Sequence, residues 1–168
     1  MPTARPEPRR EIRDKREMYD FTGRWLALAH KAMRAEFDRR LGEVGGSLST
    51  LQVLRAAHGD TAPSQIELAR SLGIKGSTLV RHLDRMAADG LIERHREPED
   101  RRVLRIHITR AGEELLRRLT SVAVQSERAI SALLPPAELE AMRHSLRVIA
   151  EHFGAADAHV TNSHRVAS

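Results

Sequence analysis

A chain of 168 residues sets one domain as the expectation, long enough to bury about two-thirds of its unfolded surface. Hydrophobic residues make up 40% but aromatics only 3%, so the core has to be built from Leu, Ala, Ile and Val packed between helices. A net charge of +5 favours a polyanionic partner, and the lack of cysteine excludes disulfides, zinc-thiolate sites and thiol-based peroxide sensing.

Residues 1–11 hold three prolines and three arginines among the first ten positions and read as a disordered, solvated tail, or else as a basic arm for phosphates. No apolar segment follows them, so they are not a secretory signal, and no run of ~18 apolar residues exists to span a membrane. A soluble, cytoplasmic protein is expected. From Ile12 to Leu41 the pattern predicts a long helix, with Ile12, Tyr19, Leu26 and Met33 recurring at sevens and Trp25, Ala29 and Phe37 widening the stripe. Gly42, Gly45 and Gly46 are expected to break it. Ser47 or Ser49 then caps a short helix through Leu51, Val53, Leu54, Ala57 and His58.

The most informative stretch is 64–108. Ser64 with Glu67 forms a capping box, and Ile66, Leu68, Ala69 and Leu72 mark a helix stopped at Gly73. A second helix runs from about Gly76-Ser77 to Gly90. Its inner face is Leu79, Leu83, Met86 and Ala87; its outer face is Thr78, Arg81, His82, Arg85 and Asp89. A strand starts at Leu91-Ile92, a charged tip Arg96–Arg102 with Pro98 turns the chain, and Leu104, Ile106 and Ile108 alternate along the return. Helix, turn, helix and basic hairpin make a winged helix over residues 47–110.

Thr109 caps a further long helix, about Ala111 to Leu133, with Leu115, Leu119, Val122, Ile130 and Leu133 in its stripe and Leu116, Ala123 and Leu134 beside it. Pro135-Pro136 ends it, and Leu139, Met142, Leu146, Ile149 and Phe153 form a lengthwise seam on the last helix. Residues 154–168 lack periodicity and read as a flexible tail. The fold class is therefore mainly α with a small β-hairpin wing: one domain in which long helices at both ends, 12–46 and 111–153, dimerise the chain. A two-fold dimer would set two reading helices one DNA turn apart, ~34 Å, on a palindrome.

Arg81, Thr78, Ser77, Lys75, His82 and Arg85 are the candidate DNA contacts on the second helix. A guanidinium can read guanine, hydroxyls can meet phosphate, and a helix N-terminus favours anions. Ser64 and Gln65 offer further phosphate contacts, and Arg94, Arg96, Arg101 and Arg105 further positive charge. The nine histidines make no HxxH, HxxxH or HExxH, and His144 and His152 stand ~12 Å apart along a helix. They read as surface histidines, with no metal or cofactor. No glycine-rich phosphate loop, nucleophile elbow or recognisable carboxylate pair supports catalysis.

The segments IELARSLGI, STLVRHLDRMAADGLIER and EDRRVLRIHITRAGEEL resemble the MarR family of dimeric transcription regulators, near its SlyA-like members. Asp100 and Arg102 meet the wing motif Asp-x-Arg, and Thr109 and Gly112 the Thr-x-x-Gly helix start. The resemblance implies a triangular dimer and a minor-groove role for Arg102, with Asp100 fixing the hairpin. It also implies a site for ligands such as aromatic carboxylates between the dimerisation helices and the DNA lobe. Positions able to line it are Trp25, Ala29, His30 and Met33, with Leu51 and His58; each also reads as ordinary core or surface. The expected function is a ligand-relieved regulator, a repressor first and an activator as the other reading, on a palindromic double-stranded operator. The alternative is a dimeric ligand-binding or protein-interaction module that reads no specific DNA.

Overall fold

The computed structural model describes residues 21–59, 61–98, 100 and 102–154. It contains α1 (Thr22–Glu43), α2 (Leu48–Ala57), α3 (Gln65–Ser71), α4 (Gly76–Ala88), β1 (Ile92–Arg96), β2 (Leu104–Ile108), α5 (Arg110–Ser131) and α6 (Pro136–His152). The chain divides between Glu36 and Phe37 into two compact units. The predicted start of the first helix, with Ile12 and Tyr19, lies outside the described residues, as do both tails.

In the first unit Phe21, just before α1, and Trp25, Leu28 and Met33 on it are exposed. In the second, α1 does not stop at Gly42, where a break was expected. It runs on to Glu43, because one glycine inside a helix costs only about 1 kcal/mol. The stop comes at Gly45, whose φ of 83° is open to glycine at little cost. There the Gly46 N–H reaches the Leu41 carbonyl at 2.9 Å and the Gly45 N–H the Gly42 carbonyl at 3.0 Å, the Schellman pattern. Ser47, not Ser49, caps α2 by accepting from the Thr50 N–H at 3.1 Å.

One aliphatic core fills the second unit: Leu41 from α1, Leu51, Val53, Leu54 and Ala57 from α2, Leu68 from α3, Leu79, Leu83 and Met86 from α4, Ile92 and Ile106 from the hairpin, and Leu115, Leu116, Leu119 and Val122 from α5. No buried polar residue interrupts it among the described residues. Several positions assigned to apolar faces lie outside it, Leu146 and Phe153 of the seam on the last helix among them. Ile66, early in α3, is 71% exposed, since it sits about 200° around the helix from Leu68. Ala87 is exposed at the edge of the α4 stripe, and Leu133, past the end of α5, is 77% exposed.

The two strands pair antiparallel in the register Ile92↔Ile108, Arg94↔Ile106 and Arg96↔Leu104. This seats Ile92 and Ile106 against the helices and leaves Glu93, His95 and His107 outside. Arg96, expected in the tip, is the last residue of β1. Thr109 joins wing and α5: its hydroxyl donates to the Gly90 carbonyl at 2.7 Å and accepts from the Gly112 N–H at 3.1 Å. At the far end, Arg143 of α6 reaches Glu127 and Ser131 of α5 at 2.5 and 3.4 Å, tying the helical hairpin together.

Candidate nucleic-acid interface

The capping box that opens α3 is complete. Ser64 Oγ accepts from the Glu67 N–H at 3.2 Å, and Glu67 Oε2 accepts from the Ser64 N–H at 2.7 Å. A Schellman stop at Gly73 (φ 62°), with the Ile74 N–H on the Ala69 carbonyl at 3.1 Å, turns the chain towards α4. The N-cap of α4 is Lys75, with no side-chain hydrogen bond, so its first N–H groups are not claimed by a capping side chain. Burial of Leu79, Leu83 and Met86 sets the roll of this helix. Lys75, Ser77, Arg81 and Arg85 are consequently exposed, while Thr78 and His82 are half-buried at the margins of the same face.

At Gly90 (φ 70°) the chain reverses, and the Leu91 N–H bonds the Met86 carbonyl at 2.9 Å, launching β1 straight from α4. At the wing tip Asp100 Oδ1 accepts from the Arg102 N–H at 3.0 Å, and the Asp100 carbonyl accepts from the Val103 N–H at 2.9 Å. Asp100 thus builds the turn through the backbone, and the Arg102 side chain stands exposed. Arg101 lies outside the described residues. Ser64 and Gln65 are half-buried at the start of α3.

Two arginines expected to add charge for a partner are engaged inside the lobe instead. Arg94 Nη2 lies 2.7 Å from Asp84 Oδ1 of α4, an ion pair set off hydrogen-bond alignment. Arg105 donates through Nε to Glu97, and through Nη1 to the Ala62 carbonyl and to Glu67 Oε2, both at 3.3 Å. The two carboxylates raise the Arg105 pKa above its ordinary value, first through the Glu97 hydrogen bond and then through the charges of Glu97 and Glu67. The Glu67 carboxyl is held below the usual carboxylate range, first by the Ser64 backbone N–H, then by the Ser64 hydroxyl and, more weakly, by Arg105. Because the folded value is the lower one, Glu67 stabilises the fold above the ordinary carboxylate range. That stability goes as pH falls through the depressed value. The melting temperature of the wild-type protein should therefore drop more on acidification than that of Glu67→Gln; equal drops would contradict this.

The six candidate ligand residues fall on separate units. Trp25, Ala29, His30 and Met33 are exposed on the first; on the second, Leu51 is 5% exposed within the core and His58 is the exposed C-cap of α2. Elsewhere in the second unit is an open cleft of about 440 Å³, which the sequence did not signal. Arg39, Arg40 and Glu43 of α1 line it together with Arg118, Val122 and Gln125 of α5. Among the described residues, no group of three His, Asp or Glu side chains is placed to hold a metal, and no helix is long and apolar enough to cross a membrane.

Capped helix, tight turn, exposed-face helix and paired hairpin define a winged helix-turn-helix protein. Residues 47–104 match the sequence model of the MarR family, the segment that holds α2 to the first residue of β2. Over 106 residues it is 29% identical to the uncharacterized HTH-type transcriptional regulator YdgJ of Bacillus subtilis (strain 168); the match spans 63% of each chain. The repressor CouR, solved bound to a 23-mer DNA duplex, is 27% identical with a TM-score of 0.69, over 80% of this chain and 95% of that one. Bordetella bronchiseptica BpsR, whose DNA binding is regulated by 6-hydroxynicotinic acid, shares the fold at 23% identity and a TM-score of 0.66, over 79% and 94% of the two chains.

Proposed function

We propose that this protein is a transcription regulator that binds a palindromic operator as a homodimer, represses from it, and is released by a small aromatic acid. The observation that carries the reading is the roll of α4. Its buried Leu79, Leu83 and Met86 turn Arg81 and Arg85 outward, with Thr78 and His82 beside them, next to a wing that exposes Arg102. Side chains of this kind on a helix read base edges in a major groove, while a wing arginine suits the negative potential of a narrow minor groove. Ser64, Gln65, Lys75 and Ser77 stand at helix N-termini, where phosphates are favoured.

Dimerisation is supported by apolar surface away from this face. The α5–α6 hairpin exposes Leu133, Leu146, Val148 and Phe153, the last at 81%. Repression is the role stated for CouR, and a small aromatic acid is the class of effector stated for BpsR. Selection of the purified protein against a random duplex pool at near-physiological salt tests the core of this reading. An inverted repeat with half-sites about ten base pairs apart is expected. A folded, dimeric protein that enriches no motif would sink it and leave a ligand-binding or protein-interaction module of the same fold.

A further inference from the structure

We infer that Arg105 is a positioning residue rather than a phosphate ligand: it clamps the wing to the N-terminus of α3 and thereby sets how selectively the lobe reads DNA. The inference rests on the DNA-reading function proposed above. On sequence, Arg105 is one more cation in a basic hairpin. In the structure its side chain is 32% exposed and its donors are turned inward, to Glu97 at the base of the tip, to the Ala62 carbonyl and to Glu67. Glu67 is the same carboxylate that closes the capping box on Ser64. The backbone repeats the link: the Ile106 N–H bonds the Pro63 carbonyl at 3.0 Å, and Ser64 bridges to Arg105.

Three pieces of the reading surface are thereby held in one geometry. The start of α3, with Ser64 and Gln65, is tied to β2 through Arg105. Glu97 ties that guanidinium to the strand leading into the tip that carries Arg102. On the other side, Arg94 ties β1 to Asp84 of α4. Wing and recognition helix enter different grooves, so their relative placement decides whether both seat on one site. A guanidinium fork suits such a bridge, since it meets two carboxylates and a carbonyl in one plane.

The two roles predict opposite signs. Glu67→Gln with Glu97→Gln removes two negative charges close to a polyanion, so charge alone would tighten DNA binding, and glutamine can still close the capping box. Positioning predicts a loss of operator affinity of roughly fivefold or more, the scale of one disturbed base pair, with a smaller operator-to-random ratio. Arg105→Gln should weaken the operator likewise and leave the salt slope of log K unchanged, whereas losing a phosphate contact lowers the slope by about 0.9. Titrations of wild type, Arg105→Gln and the double glutamine variant, at several salt concentrations on operator and random duplex, supply both readouts. Tighter binding by the double variant, unchanged selectivity, or a slope lowered by about one in Arg105→Gln would overturn the clamp. Wild-type protein that prefers no duplex would overturn the DNA reading itself.

Discussion

Replacing Gly112 by alanine is expected to cost about 3 kcal/mol, at the upper end of overpacking penalties, and to lower the melting temperature by about 6–12 °C. Alanine in an open helix would be a gain of up to about 1 kcal/mol, so the expected sign is opposite to that of helix propensity. The reason is backbone, not side chain. A Cβ at Gly112 would stand 2.1 Å from the Leu91 carbonyl oxygen and 2.8 Å from Cγ1 of Ile108. The Leu91 carbonyl cannot yield, since it accepts the Thr109 N–H at 3.1 Å, and the Thr109 hydroxyl is bound to Gly90 next door. Thermal melting of Gly112→Ala decides the matter, and a melting temperature equal to or above wild type would show that the junction of wing and α5 relaxes easily. Because that junction seats the hairpin, the variant should also bind operator more weakly.

Arg81→Ala is expected to lose about 1–3 kcal/mol of operator affinity, roughly five- to 150-fold, and to relax selectivity at one position of each half-site. Its guanidinium is exposed on α4, so the melting temperature should stay within the range of a surface change. Binding isotherms on the operator and on single-base variants separate its two possible partners. Loss concentrated at one base pair identifies base readout; uniform loss with a lower salt slope identifies a phosphate contact. Undiminished affinity would remove Arg81 from the interface and shift the weight of reading to Arg85 and the wing.

Local signals carry most of what the sequence determined about this protein. Capping at Ser64 and Thr109, the reversals at Gly73 and Gly90, the wing around Asp100 and the inward face Leu79, Leu83 and Met86 each depend on residues within about a turn of one another. A side-chain oxygen or a positive φ is needed at those places and few residue types supply it, so the order of elements and the outward face of α4 could be read directly. Tertiary structure decided the rest. Ile66 was read with the apolar face of α3 and is exposed, because the core takes up the opposite side of that short helix, where Leu68, Ala69 and Leu72 lie. Arg94 and Arg105 looked like two more surface cations. What gives them inward partners is the packing of the hairpin against α4 and the start of α3, which brings together Arg105 and Glu67, 38 positions apart. Likewise Thr-x-x-Gly was visible as a motif, but its reason, a carbonyl with no room for a Cβ, exists only once the wing has folded back on α5. Charge identity is a property of the residue; whether that charge faces a partner or braces the fold depends on distances that only the folded chain creates.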